Sequence, residues 1–313
     1  MNSPTYPNSP IGSPAILARV LGIDPNILLS LKKNSNSFFF QAKTEEKSDG
    51  TLRITYDVKE PLKTIHRRIA ERLLKKVTYP LYLQGSLPKR DYLGNAAIHT
   101  NSTCIISQDV KNFFPSISKN TVVQVWKNVF KFPEDISEIL AELITYEGFL
   151  VQGCITSSYI CNLVLWNRES KLVDELKEKD FTYTRYVDDI TVSSKRIFTL
   201  EEKKEIIKSI HSMLKSISVK LNRRKHKIMP RNSQQQVHRV NVNSDRTTMP
   251  KSEREKIKAA VHQCEELYKT LAETEEYKKL FNQTLGRVVH LSRLHERQGK
   301  KLKQKLSKIY PRK

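Results

Sequence analysis

Apolar side chains recur at Leu62, Ile65, Ile69, Leu73 and Val77, with arginines and lysines in the intervals. That spacing predicts an amphipathic helix after Pro61 that stops near Tyr79-Pro80. The same rhythm predicts two short helices within Ile16 to Lys32, broken at Gly22 and Pro25. Further helices are expected over roughly Ser118 to Phe130, Pro133 to about Thr145 and Leu200 to Leu214, with one long helix from Gly153 to Lys179. Strand patterns alternate with these. NSFFFQAKT and TLRITYDV flank the polar run Glu45 to Gly50, whose Asp49-Gly50 pair suits a hairpin turn. TCIISQDV is a short apolar run ending on a carboxylate, SVKLNRRKHKIMP a strand and turn, and QQVHRVNVN a further strand. FTYTRYVDDITVS predicts a second hairpin with Asp188 and Asp189 as its two-residue tip. The first fourteen residues, rich in Pro, Ser and Asn, are expected to form a loose arm.

Strands and helices mix here without a regular βαβ beat, and neither a glycine-rich phosphate loop nor an internal repeat is present. The pattern predicts an α+β body of about 240 residues, followed from Lys251 by a mostly helical, highly charged module. Charge sharpens this picture. Lys and Arg number 55 against 33 Asp and Glu, a net of +22 spread over the 313 residues. Such a field attracts polyanions, nucleic acid foremost. Cys104, Cys154, Cys161 and Cys264 form no CxxC pair and have no histidine at zinc-finger spacing, so buried free thiols in a reducing compartment are expected. The N-terminus has no signal-peptide pattern, and no apolar run approaches the ~18 residues of a membrane span. A cytoplasmic protein with no membrane partner is the expectation.

Adjacent carboxylates at the end of an apolar hairpin repel each other. Alone, the Asp188-Asp189 pair reads most simply as a solvated surface turn. Asp109 alters that reading, because it too ends an apolar strand, CIISQD, and is followed by two aromatics. If the strands are neighbours, three carboxylates meet at one end of a sheet and call for positive charge. Mg²⁺ suits a few carboxylates plus substrate phosphates. Two such ions would clamp the attacking and leaving oxygens of an in-line phosphoryl transfer.

At these residues the chain resembles the reverse transcriptases. Tyr186-Val187-Asp188-Asp189 resembles their YxDD box. Asp109 with the following VKNFFPSI is similar to the first palm motif of the bacterial members, and QGCITSS from Gln152 resembles their QGxxTSP stretch with Ser158 in place of proline. Among bacterial members the retron enzymes are the nearest likeness. Asn95-Ala96-Ala97-Ile98-His99 matches their NAxxH motif, and Asn222 and Lys225 fit an NxxKT-like element in which His226 replaces threonine. Val237-His238-Arg239 stands where retrons carry VTG and departs at two of three residues.

The resemblance implies a right-hand polymerase fold. Residues 1–35 would form an arm and short helices, and 36–108 the fingers and start of the palm. Residues 109–243 would form the palm with inserted fingers helices, and 244–313 a basic helical thumb. It further implies that Asp109, Asp188 and Asp189 are catalytic and bind two Mg²⁺ ions, with Mn²⁺ as a substitute and the main-chain carbonyl of Val110 as a further ligand. Phe114 matches the steric gate that selects deoxynucleotides, although core packing explains an aromatic there too. Arg53 would reach the triphosphate, Gln152 the incoming nucleotide and template base, and Lys225 the leaving pyrophosphate. NRRKHK reads equally well as a solvated or RNA-facing turn. Arg67 and Arg68 lie on a basic helix face open to template or to water. Tyr186 would pack against primer or palm, and Arg239 would face nucleic acid. Arg293, Arg297 and Lys301 would track a duplex by its phosphates and 2′-hydroxyls. Asn95 and His99, four apart, would share a helix face, as a structural pair or in RNA recognition.

The function implied is an RNA-directed DNA polymerase of a retron. It would use deoxynucleoside triphosphates to copy part of a structured noncoding RNA into single-stranded DNA. It would act in antiphage defence with that RNA, its RNA–DNA product and a separate effector protein, with higher-order assembly as an option. The alternatives are a non-retron defence enzyme with another template or untemplated synthesis, and an inactive RNA-binding scaffold.

Overall fold

The structure, a computed structural model, describes residues 3–47 and 50–311. Ser48 and Asp49, in the expected turn of the first hairpin, and Met1-Asn2 of the arm lie outside the described residues. The chain divides into two compact units, Met1–Asn95 with Thr103–Ile228, and Ala96–Ser102 with Met229–Lys313.

The first unit opens with α1 (Pro14–Leu21) and α2 (Pro25–Asn34). The Ser13 hydroxyl caps the first helix and Asp24 the second, each ahead of a proline that cannot donate a helical N–H. β1 (Phe39–Glu46) and β2 (Leu52–Val58) form the expected antiparallel hairpin, with Phe39 opposite Val58 and a register shift between Gln41 and Lys43. α3 (Leu62–Arg72) buries Leu62, Ile65, Ile69 and Ala70 as its spacing demands, but ends before Val77. α4 (Tyr92–Ile98) begins in this unit, and β3 (Cys104–Asp109), α5 (Lys119–Asn128) and α6 (Glu134–Ile144) lie within it. Next come α7 (Ile155–Ile160), α8 (Glu169–Glu178), β4 (Thr182–Tyr186), β5 (Asp189–Ser194) and α9 (Leu200–Lys215), the last opened by a Thr199–Glu202 capping box. β6 (Lys227–Pro230) begins in this unit and completes a sheet of order β4-β5-β3-β6.

Two expectations are corrected here. The arm is docked rather than loose. Thr5 pairs with Thr78, Ile11 is buried, and the Tyr6 ring lies 4.7 Å from that of Phe130. Tyr6 completes an aromatic cluster with Phe130, Phe132 and the fully buried Trp126. The run Gly153 to Lys179 is two helices rather than one, with turns through residues 161–168. The carbonyls of Cys161 and Asn162, which a continuous helix would need, accept instead from the Arg185 guanidinium at 3.1 and 3.2 Å.

The second unit holds β7 (Gln236–Val237) and β8 (Val240–Asn241), then α10 (Lys251–Leu271), α11 (Glu275–Leu294) and α12 (Glu296–Ser307). The three helices enclose their own core, including Ile257, Val261, Phe281, Val288, Leu291 and Leu306. The Tyr277 hydroxyl donates to the Ile309 carbonyl at 2.6 Å and ties the third helix back to the second. QQVHRVNVN is a tight hairpin rather than one strand. His238 and Arg239 both have positive φ, which reverses the chain between Val237 and Val240.

All four cysteines are buried and free. Among the described residues, no single helix is long and apolar enough to cross a membrane.

Trp126→Ala should destabilise the first unit by about 3–5 kcal/mol, because it removes the centre of the aromatic cluster. Urea unfolding of the variant against the parent measures this.

Candidate active site

β3 and β5 run antiparallel with Asp109 directly opposite Asp189, and Tyr186 of β4 faces Asp189 from the other side. The hairpin tip is therefore Val187-Asp188, one residue earlier than the pattern of FTYTRYVDDITVS predicts. The Val110 N–H donates to the Asp188 carbonyl at 2.9 Å and locks the tip to the end of β3. Pairing thus brings the three aspartates to one end of the sheet. Val187 is left with φ of 57°, a left-handed conformation that β-branched residues seldom adopt.

Electrostatics at this end are unfavourable without added positive charge. Burial, then the neighbouring Asp189 and Asp109 carboxylates, push the Asp188 carboxyl up to about 6. The Lys225 ammonium lies 2.9 Å from Asp109 Oδ1, and this hydrogen bond raises the lysine above its ordinary value. The Asn222 N–H also donates to the Asp109 main-chain carbonyl at 2.7 Å, so the turn that carries Lys225 is fixed to β3. Among the described residues no group of three or more His, Cys, Asp or Glu is arranged to hold a metal ion as the side chains stand. The donor chemistry nevertheless fits a divalent cation, since the groups are hard oxygens and one lysine leaves Asp188 strongly perturbed.

The neighbouring surface is built from the first hairpin and the turn before α7. The Tyr56 N–H donates to the Gln152 carbonyl at 2.8 Å. Gly153 has φ of 115° and lies so close to the Tyr56 carbonyl that a Cβ would collide with it. This contact fixes Gln152, whose side chain is half-buried, beside β2. Phe113 is core, and the adjacent Phe114 is half-buried at the edge of the same cluster, with ring centroids 6.2 Å apart. Arg53 is exposed on β2 opposite Glu45.

The remaining candidates fall into separate places. Arg67 is exposed near Glu60, whereas Arg68 donates 2.8 Å bonds to the Leu21 and Gly22 carbonyls and holds the end of α1. Tyr186 is half-buried, and burial followed by Asp91 and Asp189 raises its hydroxyl. Asn95 and His99 are fully buried, but His99 lies just beyond α4. Burial and then His238 push its imidazole down to about 3, so it is neutral. Arg239 is exposed at the tip of the β7–β8 turn, and Arg293, Arg297 and Lys301 are exposed on α11 and α12.

Sequence reading gives no role to the most elaborate feature beneath this site. Arg185 is 0% exposed and Glu169 1%, and they form a two-pronged ion pair at 2.5 and 2.8 Å. Burial works against the Arg185 charge, but the Glu169 carboxylate outweighs it and holds the guanidinium above its ordinary value. The Tyr183 hydroxyl donates to the same carboxylate at 2.7 Å. The one available signal was an arginine within an otherwise uncharged strand.

Residues 45–258 match the family described as reverse transcriptase (RNA-dependent DNA polymerase). The chain is 35% identical to the retron Se72 reverse transcriptase of Salmonella heidelberg, over 99% of this chain and 83% of that protein. It is 31% identical to the retron Ec48 reverse transcriptase of Escherichia coli, over 97% of this chain and 78% of that one. A solved telomerase from Candida tropicalis overlaps 73% of this chain and 61% of its own, at 12% identity and a TM-score of 0.45.

The raised Asp188 pKa has a consequence for stability. Its folded value of about 6 exceeds the ordinary 3.8, so stability is lost as pH rises between these two values, and the full cost of the buried charge is present above 6. Asp188→Asn should therefore raise the melting temperature of chelator-treated protein at about pH 7.5, and much less at about pH 4. Differential scanning fluorimetry at both values checks this.

Proposed function

The chain belongs to the retron reverse transcriptases and is an RNA-directed DNA polymerase, and from that premise we propose that Asp109, Asp188 and Asp189 are its catalytic carboxylates. The family carries a right-hand polymerase fold and depends on divalent metal. In our reading residues 36–108 supply the fingers and start of the palm, 109–243 the palm with inserted fingers helices, and 244–313 the thumb. What supports the catalytic reading is the register that sets Asp109 against Asp189, with Asp188 held at the tip by the Val110 N–H.

Asp109, Asp188, Asp189 and the Val110 carbonyl would hold two Mg²⁺ ions, with Mn²⁺ able to replace them. When bound, such ions supply Lewis-acid activation of the primer hydroxyl and neutralise charge on the triphosphate. The chain's own residues do the positioning. Gln152, fixed through Tyr56, lines the nucleotide and template side, and Phe114 closes the space beneath the sugar against a 2′-hydroxyl. Arg53 and Lys225 offer positive charge to the phosphates. Exposed Arg67, Arg239, Arg293, Arg297 and Lys301 follow the nucleic-acid backbone, while Tyr186 supports the primer side. Asn95 and His99, both fully buried, shape the RNA-recognition region from within.

The template we propose is part of a cognate structured noncoding RNA, copied from deoxynucleoside triphosphates into single-stranded DNA in the cytoplasm. The RNA–DNA product would serve antiphage defence with a separate effector. An inactive scaffold is disfavoured by the cost of assembling three carboxylates that a binding role does not need.

Purified protein should incorporate deoxynucleotides on an RNA template in the presence of Mg²⁺, and Asp188→Asn should reduce this to background. Equal incorporation by that variant refutes the metal role. Phe114→Ala should accept ribonucleotides more readily in the same assay, and unchanged selectivity refutes the gate. Sequencing the nucleic acid that co-purifies from cells tests the retron product directly, with a covalently joined RNA–DNA molecule expected.

A further inference from the structure

Every N–H of the Arg185 guanidinium has an acceptor. Nε and Nη2 grip Glu169 at 2.5 and 2.8 Å, and Nη2 also donates to the Asn162 carbonyl at 3.2 Å. Nη1 donates to the Cys161 and Val187 carbonyls, both at 3.1 Å. All five donors of the fork are used, which a lysine with three could not reproduce. Four of these bonds bind Arg185 to the α7–α8 region. The fifth goes to the one residue of the hairpin tip whose backbone is left-handed, Val187.

The opposite side of Val187 is bounded as closely. Gly85 lies against it, and a Cβ there would come within 2.5 Å of the Val187 nitrogen and 2.6 Å of its Cγ2. Gly85 is itself held, because Asn162 Nδ2 donates to its carbonyl at 2.9 Å. Asn162 thus serves both sides, accepting from Arg185 and donating to Gly85. The segment before Gly85 is bonded to β4, with the Arg185 N–H donating to the Tyr82 carbonyl and the Gln84 N–H to the Arg185 carbonyl, each at 2.8 Å. Arg185, Asn162, Gly85 and Val187 therefore form a closed ring under the tip. A strained φ persists only where its surroundings over-determine it, and this ring meets that condition.

We propose that Arg185 is a positioning residue for polymerisation: clamped by Glu169, it holds the Val187 carbonyl against Gly85 and so fixes where Asp188 stands. The inference rests on reading Asp188 as a catalytic carboxylate. Its signature is a loss in turnover rather than in nucleotide binding, since none of these groups belongs to the nucleotide side of the site.

Two variants reach the ring from opposite sides. Arg185→Met/Glu169→Leu/Tyr183→Phe removes the buried charges and the hydroxyl together, which buried ion pairs tolerate far better than the loss of one partner. Gly85→Ala keeps the ion pair and pushes on the tip. Steady-state extension of oligo(dT) on poly(rA) with dTTP and Mg²⁺ should show kcat down about 10²-fold in both, as for a reacting group displaced by an ångström. KM for dTTP should stay within about twofold and the circular dichroism spectrum should match the parent, since uniform binding is untouched. A folded variant of either kind with parental kcat, or with a loss carried by KM alone, overturns the proposal. Should the triple variant fail to fold, Gly85→Ala decides by itself. Activity retained in Asp188→Asn would overturn the reading of the carboxylates instead, so the two failures are distinguishable.

Discussion

Arg185 and Glu169 carry full charges where water does not reach, and much of the first unit is arranged to make that tolerable. An isolated charge in such a place is strongly unfavourable, so the guanidinium must find an acceptor for each donor. It does so by diverting the Cys161 and Asn162 carbonyls, and the break between α7 and α8 follows from that diversion. Glu169, at the first turn of α8, then faces back toward β4, and the Tyr183 hydroxyl uses the remaining capacity of its carboxylate. Phe113, just after β3, lies 5.8 Å from the guanidinium carbon and links the strand of Asp109 to the same group. One buried cation thus ties together β3, β4 and two helices.

A second constraint acts at the surface above it. Sheet pairing imposes proximity on three carboxylates whose mutual repulsion opposes it. The apolar interior of β3 and β5 supplies the opposing force, since Ile105, Ile106, Ile190 and Val192 are fully buried. This end of the sheet is therefore a place where core packing holds charge in an arrangement that side chains left to themselves would not choose. That is the ordinary physical condition of a site awaiting a highly charged substrate.

Much of this was legible in the sequence, for reasons that differ by element. The meeting of the aspartates could be anticipated because Asp109 ends a short apolar strand and Asp188 and Asp189 stand where a strand pattern turns back on itself. α3, α5, α6 and α9 followed their apolar spacing because one face of each meets the core. The failures share a cause, which is that the deciding partner lies far along the chain. Nothing local in Gly153 to Lys179 announces a break, because the group that breaks the helix is 24 residues beyond Cys161. The docking of the arm depends on Phe130 and Phe132, more than a hundred positions away. The turn at His238-Arg239 was missed because neither residue is the glycine or asparagine that usually marks positive φ. The role of Arg185 was hidden even though the residue lay within the motif that drew attention to the site.

The bond between Lys225 and Asp109 bears on what occupies this end of the sheet at rest. Lys225 follows Asn222 by three residues, and Asn222 is bonded to the main chain of the very aspartate that the lysine neutralises. The ammonium is therefore on a short leash, and its local concentration at Asp109 does not fall when the protein is diluted. Solution ions lack that advantage. Access to Asp109 Oδ1 becomes an exchange in which a tethered incumbent must be displaced, and to which it returns without diffusing. In the proposed site Lys225 is thus a built-in counter-ion, which any cation reaching Asp109 Oδ1 has to displace.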